Sequence, residues 1–162
     1  MLTAICVEFY TQNEGNDRRD MAKKRVVDTK FWNDNFIVEL DPLEKYLFLY
    51  FLTNEHTNIA GIYELPLRVM AFETGIDKET LPKMIDRFGD RIKYIDGWVY
   101  IKNFIKNQDT TSKDLRYGIS KVLRTLPKRV LEGVSKSIDP LTLSDILESE
   151  PEPKLESKLK KN

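Results

Sequence analysis

The chain is 162 residues long, with 26 basic and 26 acidic side chains and no net charge. That balance excludes a protein that coats a polyanion by bulk positive charge, so any nucleic-acid contact must come from a local patch. An apolar fraction of 41% with 32% charged residues excludes wholesale disorder. Cys6 is the only cysteine and His56 the only histidine, which excludes an intramolecular disulfide framework and argues against a Cys/His zinc site. No apolar run approaches the ~18 residues of a membrane span. Residues 1–10 (MLTAICVEFY) lack a basic start and carry Glu8, a poor secretory signal. The expectation is a cytoplasmic protein without a cofactor, a metal or a membrane partner.

Charge divides the chain into zones. Residues 1–20 carry a net −2 and residues 21–108 a net 0. Residues 109–137, with 7 basic and 3 acidic groups, carry +4, and residues 138–162 carry −2. Met21 opens a basic segment, MAKKR, that reads as a natural N-terminus, and intact-mass measurement of the natively expressed protein tests that start. Residues 1–25 read as a flexible N-terminal extension. Lys23, Lys24 and Arg25 form either a basic arm or a solvated end.

Asp41-Pro42 starts the first clear helix, with a capping carboxylate followed by proline at the first helical position. It runs to about Thr53 and is apolar nearly all the way round from Leu43 to Leu52. Such a helix is a buried pillar or is covered by a partner chain. Phe31 and Trp32 are expected to pack on it. Gly61–Leu65 reads as a short strand. Pro66 opens a second helix that ends at Gly75 in a left-handed cap. A third helix follows Asp77, with Leu81, Met84, Ile85 and Phe88 at helical spacing. Pro82 sits awkwardly there, so the helix starts near Thr80 or its first turn is distorted. Arg91–Ile95 and Trp98–Phe104 flank Asp96-Gly97, a strong signal for a two-residue hairpin turn.

This order gives an α+β, mainly α fold: a winged helix-turn-helix over residues 26–108, with Gly61–Leu65 joining the hairpin in a three-stranded antiparallel sheet. A basic helical extension follows over residues 109–137. Ser112 caps a helix to Leu126 whose apolar stripe is Leu115, Ile119, Val122, Leu123 and Leu126. The stripe is a packing face, against the winged domain or against a second copy. A further helix spans Lys128–Lys136. Residues 138–162 hold a short helix near Leu141–Leu147 and a disordered tail.

The segments KFWNDNFIVELDPLEKYLFLYFLTNEHTNIAGIYELP, ETGIDKETLPKMIDRF and GWVYIKNFIKNQ resemble the N-terminal winged-helix domain of phage and prophage replication initiators. These are the replisome organisers, to which the bacterial primosome protein DnaD is related. The resemblance covers roughly Val26 to Gln108 and extends more weakly into YGISKVLRTLPKRV. It implies binding of double-stranded DNA at a replication origin in a bacterial host cell. It also implies recruitment of a helicase loader or another primosome protein, and self-association. The sequence departs from such initiators in having only about 30 polar residues after the basic helix, where a further C-terminal domain usually follows.

The third helix is the candidate reader of the major groove, through Lys78, Thr80, Lys83 and Arg87. Lys83 and Arg87 stand one turn apart, within reach of phosphate or guanine edges. Arg91 and Lys93 lie along the ribbon as backbone contacts, although lysines such as Lys93 and Lys102 also protect edge strands. Arg116, Lys121 and Arg124 line the polar side of the +4 helix, as further DNA contacts or as ordinary surface charge. Asp96 at the wing tip repels phosphate. No catalytic constellation and no phosphate-binding glycine loop appears, so an enzyme is not expected. The bland alternatives are an oligomerisation or adaptor module on the same fold, and a phage transcriptional regulator.

Overall fold

A computed structural model describes residues 27–105, 113–138 and 140–148. The readings of the N-terminal extension and its basic arm, of the Ser112 cap, and of the tail lie outside these residues. A 3-10 turn at Thr29–Asn33 leads into α1 (Asn35–Glu39) and α2 (Pro42–Thr53). Asp28 accepts from the Lys30 amide and Asp34 from the Phe36 amide, so each short element has its own carboxylate cap. At α2 the cap is reciprocal. Asp41 accepts from the Glu44 amide at 2.8 Å, and Glu44 accepts from the Asp41 amide at 3.0 Å.

Beyond α2 come β1 (Ile62–Glu64), α3 (Leu67–Thr74) and α4 (Leu81–Arg87). Gly75 ends α3 at φ 71°, a left-handed conformation that glycine adopts without steric cost. Asp77 then holds the turn: its carboxylate accepts from the Glu79 amide, and its carbonyl from the amides of Thr80 and Leu81. Helix α4 therefore begins only at Leu81. Pro82 falls in its first turn, where no amide hydrogen is required. Phe36, Phe48, Phe51 and Phe88 interlock beneath these helices, the Phe48 and Phe88 rings edge-on at 5.3 Å.

Strands β2 (Ile92–Ile95) and β3 (Trp98–Ile101) form the hairpin. Asp96 and Gly97 both take positive φ, as a type I′ turn demands. The antiparallel order is β1-β3-β2, with Tyr63 opposite Val99 and Ile95 opposite Trp98. Side chains alternate between two cores. Tyr63, Ile92, Val99 and Ile101 face the winged-helix core, while Ile62, Trp98 and Tyr100 face the other way.

The second face is covered by α5 (Lys113–Thr125), α6 (Lys128–Ser135) and α7 (Pro140–Leu147). Ile119, Leu123, Leu126, Val130, Val134 and Ile146 bury themselves with Ile62 and Tyr100 in one cluster. The apolar stripe of the basic helix thus docks on the winged domain's own sheet. Two packing expectations need correction. Phe31 does pack against Phe48 of α2, but Trp32 stays 58% exposed, its ring set nearly perpendicular to that of Phe31. Helix α2 buries Leu47, Phe48 and Phe51 on one side, yet Leu43 and Tyr46 remain exposed.

Ile119→Ala is expected to destabilise the protein by about 2–4 kcal/mol, the cost of a cavity at a fully buried aliphatic site. Denaturant unfolding followed by both tryptophan fluorescence and circular dichroism should show one shared transition. Two separated transitions would mean that the C-terminal helices and the winged part unfold independently.

Candidate nucleic-acid interface

The turn before α4 and the solvent side of the helix bear Lys78, Glu79, Thr80, Lys83, Asp86 and Arg87, all exposed. Among the described residues no other element covers this side, because α4 spends Leu81, Met84 and Ile85 on the core. Among the described residues neither Lys78 nor Lys83 has an ion-pair or hydrogen-bond partner, and the Thr80 side chain makes no capping bond. These three sequence-predicted residues stand together and free.

The remaining candidates are engaged by their own chain to differing degrees. Arg87 reaches back to Glu44, with Nη1 2.9 Å from Oε1. The Glu44 side chain is 2% exposed and that of Arg87 61%. The same carboxylate caps α2, so Arg87 compensates a buried charge and ties α4 to the start of α2. Arg91 lies over the Phe36 ring at 4.0 Å. Lys93 sits 3.3 Å from Asp90 and 3.4 Å from the Ser137 hydroxyl, and Lys102 is 3.7 Å from Asp90. The Lys93 ammonium, seconded by Lys102, holds the Asp90 carboxyl below its usual range.

On α5, Lys121 lies over Tyr117 at 4.7 Å, and Arg124 donates to the Leu147 carbonyl at 2.7 Å, closing α5 on α7. Arg116 is half-buried, and its Nε has no hydrogen-bond partner among the described residues. At the wing tip Asp96 pairs with Arg129 of α6 at 3.3 Å. The wing therefore leans on α6, and its acidic tip is neutralised from within. A groove of about 370 Å³ separates α4 from the open edge of β2, with Pro82, Ile85, Asp86, Lys93 and Tyr94 in its walls.

Glu44 and Arg129 are the residues that sequence reasoning passed over. The Asp41-x-x-Glu44 spacing is the one signal that marked Glu44, as half of a capping box. Nothing local marks Arg129, whose role depends on how α6 meets the hairpin.

A second polar cluster joins α2 to α3. The Tyr50 hydroxyl donates to Glu73 Oε2, and His56 Nε2 lies 2.9 Å from Glu73 Oε1. Burial pushes the Glu73 carboxyl up, but the bonds from Tyr50 and His56 outweigh it and hold the group below its ordinary value of 4.5. Burial, then the bond to Glu73, pushes the Tyr50 phenol well above its ordinary range. Glu55, His56 and Glu73 bring possible metal-ligand atoms within 4.8 Å of one another. The hydrogen bonds of Tyr50 and His56 already account for the placement of Glu73, so the cluster reads as a clamp between the loop and α3.

Arg87→Ala should lower stability by about 1–3 kcal/mol. That is less than the ~3–5 kcal/mol of a fully buried pair, because Arg87 itself is largely solvated. Urea titration of the variant measures it, and an unchanged midpoint would remove Arg87 from the framework of α4. The depressed carboxyl of Glu73 contributes stability above pH 4.5 that is lost as the pH falls through its folded value. Glu73→Gln should therefore melt earlier than the parent at pH 7, with the gap closing as the pH falls below 4. A gap of constant size would assign the effect to packing.

No helix among the described residues is long and apolar enough to cross a membrane. No model of a known protein family, no curated protein and no solved structure matches the chain.

Proposed function

We propose that this chain is a double-stranded DNA-binding protein of the phage replication-initiator kind, acting in the cytoplasm of a bacterial host. The observation that carries the reading is the open side of α4 with its preceding turn. Lys78, Thr80 and Lys83 face solvent there on a helix-turn-helix frame and have no partner among the described residues. A short helix entering the major groove by its N-terminal end would lay these residues against base edges and phosphates. The resemblance to replisome organisers supports the same assignment. It adds recruitment of a helicase loader or another primosome protein, and self-association. With so few free cations on this side of α4, binding is weak for one copy and falls with salt.

One set of observations favours a second reading, an adaptor or oligomerisation module with little DNA contact. Arg87, Arg91, Lys93, Lys121 and Arg124 are engaged internally, and the wing tip is docked on α6. A phage transcriptional regulator would use the same groove-facing helix, and its bound site would be a promoter instead of an origin.

Lys78→Ala with Lys83→Ala should weaken duplex binding. Each lost phosphate contact also lowers the slope of log affinity against log salt by about 0.9. Fluorescence anisotropy with fragments of the protein's own genomic neighbourhood, across a salt series, measures both. Identical affinity and slope would take α4 out of the interface. A stable oligomer that binds no fragment at low salt would select the adaptor.

A further inference from the structure

We infer that the outer face of α2 is the surface on which two copies of this chain meet. The inference rests on the self-association half of the proposed function and is independent of DNA contact. Helical geometry places Tyr46, Leu49 and Thr53 along the ridge of α2 opposite Leu47, Phe48 and Phe51, which are buried in the core. Leu43 and Tyr46 are exposed, and Leu49, Tyr50 and Leu52 are half-buried. The helix has only two charged residues, and neither stands on this ridge. Glu44 is buried on Arg87, and Lys45, which keeps its charge, lies to one side of the Tyr46–Leu49–Thr53 ridge and donates to the Val38 carbonyl at 3.2 Å. A nucleic acid or a charged peptide finds no complementary group on this ridge.

Each flank adds exposed apolar groups. The bond from Lys45 draws Val38 to one side of α2, and Phe31, packed on Phe48, carries Trp32 to the same side. On the other side the bond from Tyr50 to Glu73 brings in α3, whose Phe72 is 89% exposed. Six large apolar side chains are exposed among the described residues, and five of them belong to this region: Trp32, Val38, Leu43, Tyr46 and Phe72. At those exposures they offer on the order of 600 Å² of apolar surface, near the ~800 Å² that each partner buries in a standard interface.

An uncharged ridge flanked by apolar groups is complementary to itself. A two-fold axis through Tyr46 and Leu49 lays α2 on α2, the isologous arrangement that closes at two copies. Helix α4 packs on the opposite, buried side of α2 through Phe88, so this dimer leaves Lys78 and Lys83 of both copies open.

Light scattering after size exclusion tests the inference on the full chain and on Tyr46→Lys and Leu43→Lys, with circular dichroism to confirm folding. The parent should run at twice the chain mass, and each lysine variant at half the parent's mass with an unchanged spectrum. Cys6→Ser combined with Tyr46→Cys leaves one cysteine at the proposed axis. It should form a disulfide-linked dimer under mild oxidation even if the lysine variants fold poorly. A parent that is monomeric up to its solubility limit overturns both the interface and self-association. A dimer that survives both lysine substitutions, or a Tyr46→Cys chain that does not cross-link, overturns the interface alone. Neither result bears on duplex binding, which the salt titration reads separately.

Discussion

Strand β3 must be buried on both faces, and the rest of the structure is arranged around that requirement. Its four residues send Val99 and Ile101 into one core and Trp98 and Tyr100 into the other. A three-stranded sheet this short cannot leave one face in water when that face carries Ile62, Ile95, Trp98 and Tyr100. Helices α5–α7 are thus the second half of the core. Ile119, Leu123 and Val134 do for the outer face what Phe51, Leu81 and Phe88 do for the inner one. Gly133 marks how close the layers come: a methyl group there would stand 2.7 Å from Ile95 Cδ1.

This closure also decides where the charges go. Once α6 lies against β2, Arg129 finds Asp96 and Lys93 finds Ser137. These contacts are largely solvated and contribute little to stability; apolar packing holds the layers together. Their effect is on the electrostatic surface, because the carboxylate at the hairpin tip is matched by a cation of the same chain, which itself stays 82% exposed. The Glu44–Arg87 pair differs in kind. Its carboxylate is buried and bonded to both the Asp41 amide and Arg87, so the entry of α2 and the end of α4 are fixed together. The orientation of α4 is thereby coupled to the capping box of the helix behind it.

Much of this was legible in the residues. Asp41-Pro42, Gly75 and Asp96-Gly97 are local stereochemical instructions, and each produced the helix start, helix end or turn that its backbone chemistry requires. The apolar stripe from Leu115 to Leu126 announced a packing face but not its partner, since a stripe specifies chemistry without an address. The 3-10 turn and α1 escaped because they are too short to show a period, and they rest on the carboxylate caps of Asp28 and Asp34. The candidate site was the least legible part. Lys83 and Arg87 look equivalent on a helical projection, one turn apart on a polar side. Only the position of Glu44, brought in by tertiary packing, separates the free cation from the structural one.

That separation constrains any mode of duplex binding. Winged helices can add the hairpin to the recognition helix as a second point of contact, but here the hairpin tip is acidic, paired with Arg129 and backed by α6. Contact then falls to the turn and the first part of α4, a stretch with two free lysines beside Glu79 and Asp86. So small a footprint gives little affinity to a single copy. Joining two copies through a surface remote from α4 changes this without any new contact to DNA. On the proposed reading the second α4 would engage at the effective concentration set by the first, and the gain would depend on whether the spacing between the two helices fits two groove positions on one face of the duplex. With several of its cations paired within the chain, specificity for a site would then reside as much in the distance between copies as in the side chains that touch the bases.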